Sequence, residues 1–319
     1  MKEMYDIVAL GELLVDFTHC GRSENGMRLF EQNPGGAPAN VLCELANFGL
    51  KTALIGKVGD DMHGDFLVKT LKEKRVDTRG IIRDGNVFTT LAFVELSDAG
   101  ERKFSFARKP GADICLSSSE IDHELLSNCK VFHFGSLSLT DEPSRTATME
   151  AVKLSKQAGA IISYDPNYRA SLWKSKDEAA ARMRSVLDFV DVIKISDEEM
   201  GLLTGEETPE AAAACLIGQG IPCVVITLDS EGAYAAAGEG GVFVPGLHAP
   251  ATDTTGAGDA FWGGFLYKLI RSGRRTNELG KAELEEFTAF ANAAASVCIQ
   301  RRGGIPAMPT LDEVSVLLK

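Results

Sequence analysis

The chain lacks the long apolar runs and the basic surplus typical of membrane-spanning and nucleic-acid-binding proteins. Its 319 residues include no apolar run near the roughly 18 residues that span a bilayer, and no charged-then-apolar leader follows Met1. The formal net charge is -12, whereas a nucleic-acid surface needs a basic face to neutralise phosphates. These absences favour a soluble cytoplasmic protein with neither a nucleic acid nor a membrane as partner.

Several motifs of metal, disulfide and nucleotide chemistry are also missing. The seven cysteines show no C-x-x-C spacing and the five histidines form no ligand-spaced cluster, so neither a zinc site nor a disulfide framework is indicated. We expect reduced thiols that pack as small apolar side chains. The sequence has no G-x-x-x-x-G-K-[ST] loop and no H-R-D or D-F-G motif, which excludes Walker-type NTPases and protein kinases.

Short apolar runs without polar alternation recur along the chain. They lie at 6–10, 52–56, 131–135, 160–165, 192–196 and 223–229. Strands buried on both faces of a parallel sheet have this character, and the segments between them, such as 143–158 and 177–189, show helical patterns. The alternation predicts an α/β fold with a doubly wound, mainly parallel sheet flanked by helices.

One segment departs from this alternation. Residues 87–108 contain two β-rich stretches around the turn SDAG, which predicts an antiparallel hairpin. Together with about 13–32, this hairpin is expected to form a small β-sheet that projects as a lid. The length allows one large domain or two smaller ones. Since no long linker or internal repeat is present, a single domain over 1–319 with an inserted lid is favoured.

Residues 251–265 read ATDTTGAGDAFWGGF, a turn of small residues before a helical pattern. Gly256, Ala257 and Gly258 would leave backbone N–H groups uncovered at the positive end of that helix, which suits an anion. Asp259 then falls in the first helical turn, close to that anion. A sharp turn with an acidic helix start explains the same residues, so the motif is not specific alone.

A second glycine-rich segment, NPGGAPAN at 33–40, precedes another helical pattern. Gly35 and Gly36 permit close backbone approach, and Asn40 offers both a hydrogen-bond donor and an acceptor. The segment contains no lysine, so it suits a neutral polyhydroxylated ligand better than a phosphate. A plain turn with an asparagine cap remains the alternative.

With both segments in view, the sequence resembles the ribokinase-like (pfkB-type) family of carbohydrate kinases. The stretch 35–61, GGAPANVLCELANFGLKTALIGKVGDD, is similar to the family's N-terminal signature, and 253–265, DTTGAGDAFWGGF, to its C-terminal one. Between them FARKPGAD, FHFGSLSLTDEP, YDPNYRASLW and KISDEEMGLLTG resemble the fructokinase branch in order and spacing. The likeness extends from about Tyr5 to Pro309.

The resemblance implies ATP-dependent phosphorylation of a sugar hydroxyl, with D-fructose as the first candidate and D-fructose 6-phosphate as its product. Asp259 matches the family's catalytic base, and the turn from Gly256 through Ala257 to Gly258 matches its anion hole. Another sugar kinase of the family, acting on 2-keto-3-deoxygluconate or ribose, is the nearest alternative. A non-catalytic sugar-binding regulatory protein is more distant, because such a protein would have lost the base or the glycines.

The resemblance also implies a set of substrate contacts. Sugar hydroxyls are expected at Asp16, Gly35, Gly36 and Asn40, apolar lid walls at Phe93 and Phe106, and phosphate charge at Arg108 and Arg169. A turn cap is the alternative for Asp16, and a surface ion pair is the alternative for each arginine.

For ATP, the matching positions are Asn167, Ser196, Thr227, Asp229, Gly232 and Asn292. Asp229 stands where the family usually has glycine, and Ser196 stands where it commonly has asparagine. Glu199 is expected to meet Mg²⁺ through water, because that ion dehydrates reluctantly. A monovalent cation, potassium, is expected at Asp253, Thr255, Cys298, Arg301, Gly303 and Ala307. An apolar lid face also predicts a homodimer formed through the lid.

Overall fold

The structure is a computed structural model that describes residues 4–96, 102–238 and 240–318, so the predicted turn at 97–100 lies outside it. The strands within these ranges are β1 Tyr5–Leu10, β2 Leu14–Arg22, β3 Arg28–Gly35, β4 Thr52–Gly59, β5 Asp77–Asp84, β6 Leu91–Leu96, β7 Arg102–Ala107, β8 Cys129–Gly135, β9 Ile161–Asp165, β10 Val192–Ser196, β11 Cys223–Thr227, β12 Gly232–Ala237 and β13 Gly240–Pro245. The helices are α1 Ala37–Asn47, α2 Met62–Glu73, α3 His123–Ser127, α4 Ser144–Gln157, α5 Lys176–Arg184, α6 Asp197–Thr204, α7 Pro209–Gly218, α8 Ala257–Ser272, α9 Lys281–Cys298 and α10 Leu311–Leu317.

A large sheet has the strand order β13-β12-β11-β10-β9-β8-β1-β4-β5. The strands from β11 to β5 pair in parallel, and β12 and β13 extend one edge antiparallel. Along β1, Ile7 and Ala9 enter one apolar cluster whereas Val8 and Leu10 enter the other. Helices therefore cover both faces of the sheet, which explains the missing polar alternation and confirms the predicted α/β class.

Three strands and one helix end differ from the sequence prediction. In β5 only Gly80 is buried, so that strand carries no apolar run. β12 reads GAYAAA and β13 begins with two glycines, residue types that are depleted in strands. The predicted helix 177–189 ends at Arg184, and Leu187–Phe189 forms a separate 3₁₀ turn.

The cysteines are free thiols, as expected, and Cys43, Cys129, Cys223 and Cys298 are buried. Cys20 is exposed, so the expectation of apolar packing is wrong for that residue. Over the described ranges, no cluster of at least three His, Cys, Asp or Glu side chains could hold a metal ion. None of the helices described is both long and apolar enough to cross a membrane.

Helices α1 and α8 pack together through a buried acid and a glycine. The carboxyl group of Glu44 is fully buried, and neither of its oxygens has a hydrogen-bond partner among the described residues. A Cβ atom on Gly263 would lie only 1.9 Å from Glu44 Oε2, so the glycine makes room for the acid. Burial, followed by the nearby charge of Asp259, raises the pKa of Glu44 well above its ordinary value. Glu44 therefore keeps its proton in this interface.

The lid is a four-stranded sheet with the order β3-β2-β6-β7. Asp16 pairs with Ala92, and Ala92 pairs with Phe106, so these three side chains share one face. Phe93 pairs with Phe17, and the two rings stack with centroids 5.4 Å apart. Since side chains alternate across a strand, Phe93 lies on the opposite face from Asp16 and Phe106. This register does not support the prediction that Phe93 and Phe106 form walls of the same site, and the role of Phe93 there remains a prediction.

The ends of the β6–β7 hairpin are held by one aspartate. Arg108, directly after β7, contacts Asp113 Oδ2 through Nε at 2.8 Å and through Nη2 at 2.7 Å. Its Nη1 donates to Thr140 Oγ1 and its Nη2 to the carbonyl of Leu137. The hydroxyl of Thr90, just before β6, donates to Asp113 Oδ1. The guanidinium of Arg108 is thus engaged with partners inside the protein, and its expected contact with phosphate charge remains a prediction that these hydrogen bonds do not support.

Replacing Asp113 tests this anchor. The Asp113→Ala variant would leave the guanidinium of Arg108 buried without a counter-charge, which typically costs about 3–5 kcal/mol. Asp65→Ala is the matched control, because the Arg83–Asp65 ion pair has side chains 36% and 69% exposed and should cost less than about 1 kcal/mol. Urea unfolding of both variants measures the difference. Equal losses of stability would show that Asp113 is not an anchor, and Asp113→Asn provides a milder variant if the alanine variant does not fold.

Candidate active site

Two cavities meet at the N-terminus of α8. The large cavity has a volume of about 550 Å³, and its lining includes Thr227, Asp229, Gly232, Ala257, Gly258 and Asn292. The small cavity has a volume of about 160 Å³, and its lining includes Glu12, Asp16, Gly36, Asn40, Phe106, Asn167, Arg169, Lys194, Gly256 and Asp259. Thr254 and Gly258 line both cavities, so the start of α8 is their common wall. This wall lies beyond the carboxyl ends of the parallel strands, where ligands bind in such sheets.

The turn before α8 has the conformation that its glycines predict. Gly256 is the N-cap residue at φ 80°, a left-handed conformation, and no side chain caps the helix. A Cβ atom on Gly256 would also lie 2.8 Å from Met308 Cε. The first N–H groups of a helix have no intrahelical acceptor and carry the positive end of its dipole. The start of α8 therefore offers an anion-binding wall to both cavities.

Asp259 is buried in the first turn of α8, and Asn40 in α1 holds it. The side-chain amide of Asn40 donates to Asp259 Oδ2 at 2.7 Å. Burial raises the pKa of Asp259, whereas the Asn40 hydrogen bond lowers it. The two glycine-rich segments, far apart in sequence, are therefore joined by one contact at the small cavity.

Lys194 brings a positive charge to the wall of the small cavity, which Asp259 also lines. Its Nζ lies 2.5 Å from Asp165 Oδ2, and both side chains are buried. Burial lowers the pKa of Lys194, but the carboxylates, Asp165 first, outweigh burial and raise it, so the ammonium stays charged. A Cβ atom on Gly258 would lie 3.3 Å from Nζ, which places the ammonium beside the turn at the start of α8.

The remaining substrate candidates surround the small cavity. Gly35 does not line it, but a Cβ atom on Gly35 would lie 2.3 Å from Asp16 Oδ2, so the glycine makes room for that carboxylate. Phe106 and Arg169 line the cavity. Asn167, which the resemblance assigns to the nucleotide, lines the small cavity rather than the large one. It has a positive φ of 47°, so its backbone turns sharply beyond β9.

The large cavity is lined by four of the residues that the resemblance assigns to ATP, namely Thr227, Asp229, Gly232 and Asn292. Asp229 adopts a φ of 47°, the left-handed conformation that glycine favours, so the aspartate retains the turn without the glycine. The amide nitrogen of Asn292 donates to the carbonyls of Val244 and Pro245, which fastens α9 to β13.

Ser196 and Glu199 form a capping box at the start of α6. The Ser196 hydroxyl accepts from the N–H of Glu199, and Glu199 Oε2 accepts from the N–H of Ser196 at 2.8 Å. Glu199 Oε1 accepts from the N–H of Tyr168 at 2.6 Å. Neither Ser196 nor Glu199 lines either cavity. Each carboxylate oxygen of Glu199 retains a lone pair for a water molecule, which fits an indirect contact with Mg²⁺ but not direct ligation.

The six positions expected to bind a monovalent cation lie close together. Asp253 accepts hydrogen bonds from the N–H groups of Thr255 and Gly303, and the thiol of Cys298 donates to the carbonyl of Thr255. Ala307 packs with Cys298 in a small apolar cluster. The side chain of Arg301 pairs with Glu313, so only its backbone could serve such a site.

Sequence reasoning missed two charged residues of the small cavity. Glu12 lies two residues after the end of β1, a position at which the carboxyl-end rule could have found it. Lys194 lies inside the apolar run VIKIS, and a buried lysine in such a strand is itself a signal, because an unpaired buried charge is costly.

Comparison with known proteins extends over nearly the whole chain. The family described as pfkB family carbohydrate kinase matches residues 4–311. A protein named probable fructokinase-5 from Arabidopsis thaliana is 42% identical over 98% of this chain and 97% of its own length. The crystal structure of a fructokinase with bound ATP from Xylella fastidiosa has a TM-score of 0.90 and 32% identity, covering 99% of this chain and 98% of that one. A double mutant of a fructokinase from Vibrio cholerae O395, in a form with bound fructose, ADP and potassium ion, has a TM-score of 0.88 and 31% identity over 100% of both chains. The chain therefore belongs to the pfkB family of carbohydrate kinases.

Proposed function

We propose that this protein is a fructokinase that transfers the terminal phosphoryl group of ATP to D-fructose, giving D-fructose 6-phosphate and ADP. The observation that carries the proposal is the position of Asp259. Its buried carboxylate lines the small cavity, directly after Gly258, which lines both cavities, and we assign the cavities of about 160 and 550 Å³ to the sugar and the nucleotide. The named relatives support fructose as the acceptor.

In this mechanism the sugar occupies the small cavity and its hydroxyl donates a hydrogen bond to Asp259. The carboxylate takes the hydroxyl proton as the sugar oxygen forms a bond to the terminal phosphorus of ATP. The bond from that phosphorus to the bridging oxygen breaks, and ADP leaves with the electron pair. The N–H groups of the Gly256–Gly258 turn stabilise charge on the transferred phosphoryl group. The hydrogen bond from Asn40 favours the ionised form of Asp259, against the effect of burial on its pKa, and fixes the position of the carboxylate.

Lys194 and Arg169 supply positive charge at the point of transfer. The Lys194 ammonium lies beside Gly258, and Arg169 lines the same small cavity. Both cations can meet oxygens of the transferred phosphoryl group. Mg²⁺ bound to ATP would neutralise phosphate charge, and Glu199 would hold its hydration shell. The lid, through Asp16 and Phe106, covers the sugar and excludes water as a competing acceptor.

The small cavity favours a neutral sugar over a sugar acid. Glu12, Asp16 and Asp259 bring three carboxyl groups to its wall, and the two cations there, Lys194 and Arg169, are assigned to the phosphoryl group, so no cation is left for a carboxylate on the ligand. This argument ranks 2-keto-3-deoxygluconate below fructose. The non-catalytic alternative is disfavoured because the base and the turn glycines are present and placed together.

Asp259→Asn tests the mechanism. The amide preserves size and can still accept a hydrogen bond from Asn40, but it cannot take a proton, so we expect turnover to fall about 10²–10⁴-fold while sugar binding is retained. A coupled ADP-release assay over fructose, ribose, 2-keto-3-deoxygluconate and glucose measures turnover and acceptor choice together. Near wild-type kcat in the variant would reject Asp259 as the base. Preference of the wild type for the sugar acid would reject fructokinase, and turnover with no sugar would favour a binding protein.

Potassium activation is the second part of the proposal. The loop at Asp253–Thr255 is hydrogen-bonded to Gly303 and contacts Cys298, so carbonyl oxygens from two segments lie near the turn that starts α8. A cation there would set the position of that turn. We expect higher kcat in potassium than in sodium or Tris buffers at equal ionic strength. Equal turnover in all three buffers would remove the cation from the proposal.

We also propose that the large sheet and the lid of each copy form a single domain. Two such copies pair through the face of the lid opposite to Asp16 and Phe106, which we call the outer lid face. This face carries Phe17, Phe30 and Phe93, whose rings contact one another. Phe93 is 37% exposed and the neighbouring Phe88 is 55% exposed, so the face leaves apolar area open to water. A second copy would cover this area.

Light scattering at micromolar concentration tests the pairing. We expect the mass of a dimer for the wild type and a shift toward monomer for Phe93→Asp, because a carboxylate in the apolar face costs several kcal/mol when buried. Val316→Asp is the control, because Val316 is an exposed apolar residue on α10, outside the lid. A monodisperse monomer for the wild type would contradict the proposal.

A further inference from the structure

We propose that Glu12 is a further sugar-binding residue. Its carboxylate accepts a hydrogen bond from a hydroxyl group of the bound sugar, and Glu12 releases its proton when the sugar binds. The inference rests on the proposed function, since it takes the small cavity to be the sugar site. It adds a specificity-determining residue that the two family signatures do not contain.

The position of Glu12 carries the proposal. The residue follows β1 by two positions, lines the small cavity and is 3% exposed. The N–H of Ala37, at the start of α1, donates to Glu12 Oε1 at 2.9 Å. Glu12 Oε2 receives no hydrogen bond from another residue in the described part of the chain. One oxygen is therefore anchored to the helix start, and the other can bind a ligand.

The diglycine turn lies against both Glu12 and Asp16, and both of these residues line the small cavity. A Cβ atom on Gly36 would lie 2.3 Å from the carbonyl oxygen of Glu12, and one on Gly35 would lie 2.3 Å from Asp16 Oδ2. The two acids therefore flank the same two residues. Neighbouring hydroxyls of a polyol are suited to such a pair, because each hydroxyl can donate one hydrogen bond to a carboxylate.

In the absence of ligand, the surroundings of Glu12 have opposing effects on its pKa. Burial raises the pKa of Glu12 to about 7, against the lowering effect of the hydrogen bonds from its own N–H and from Ala37. Behind the residue, the charge of Asp113 raises the pKa and that of Arg108 lowers it. The charged groups that share the cavity wall are Asp16, Asp259, Arg169 and Lys194.

A sugar hydroxyl that donates to Oε2 stabilises the ionised form, so the pKa of Glu12 falls when the sugar binds. Binding then requires the loss of a proton at pH values below about 7. The affinity for fructose should be constant above that pH and should weaken as the pH falls, approaching tenfold per pH unit.

Glu12→Gln separates this role from capping. Glutamine has the same size, and its amide oxygen can still accept from the N–H of Ala37, but it does not ionise. We expect fructose to bind the variant at least about tenfold more weakly at pH 8, because the charge-assisted hydrogen bond is lost. We also expect its affinity to be independent of pH between 6 and 8. Glu73→Gln is the control, since Glu73 is an exposed residue at the end of α2.

The measurement is isothermal titration calorimetry of fructose into the full-length protein without ATP, at pH 6, 7 and 8. Two buffers of different ionisation enthalpy report protons released, and thermal unfolding confirms that each variant is folded. Asp259→Asn provides the background, so that Asp259 cannot supply the proton. We expect fructose binding at pH 6 to release a proton from the Asp259→Asn protein and none from the protein that carries both Asp259→Asn and Glu12→Gln. Equal affinity and equal proton release in both proteins would overturn the role of Glu12.

The same titration distinguishes the two proposals. If the wild type neither binds nor phosphorylates fructose, the proposed function fails and the role of Glu12 fails with it. If the wild type phosphorylates fructose and Glu12→Gln binds it with unchanged affinity at every pH, only the role of Glu12 fails.

Discussion

The hydrogen bond from Asn40 to Asp259 is the contact on which the site depends, because it joins segments separated by 219 residues in sequence. It requires α1 and α8 to approach closely at their N-termini, and their small and glycine residues permit this approach. The same approach brings Gly36 of the diglycine turn and Gly256 and Gly258 of the second turn to the wall of one cavity. Each segment alone is an ordinary turn before a helix. Only their contact places the side chains of Asn40 and Asp259 together at one cavity.

Much of this arrangement could be predicted from the sequence. The six buried strands coincide with six apolar runs, because a parallel sheet covered by helices on both faces leaves no polar alternation. The glycine turns were recognised because few other residues adopt their backbone geometry, as the φ of 80° at Gly256 illustrates. Asp16, Asn40 and Asp259 were correctly placed together at one cavity, although their catalytic and binding roles remain predictions.

What could not be predicted depended on side-chain surroundings rather than on motifs. Phe93 and Phe106 look equivalent in the hairpin sequence, but the register of the strands puts them on opposite faces. Arg108 has the charge that a phosphate attracts, but Asp113 already binds it. Lys194 lies in an apolar run and was not recognised as a site residue. Only the fold shows that Asp165 compensates its charge. In each case the deciding partner is distant in sequence or is set by register.

The buried pair of Glu44 and Gly263 has a consequence for protein engineering. Its two members lie one helical turn from Asn40 and Asp259 along the same two helices, so both pairs contribute to the contact between α1 and α8. Gly263→Ala alone would force a methyl group onto the carboxyl group of Glu44, whereas Glu44→Ala alone would leave a cavity. The two alanines together avoid that clash, remove a polar group without partners and relieve the helix of a glycine, and the added methyl group fills part of the space that the carboxyl group leaves. The effects of substitutions at residues 44 and 263 are therefore not additive, and the two positions have to be exchanged together.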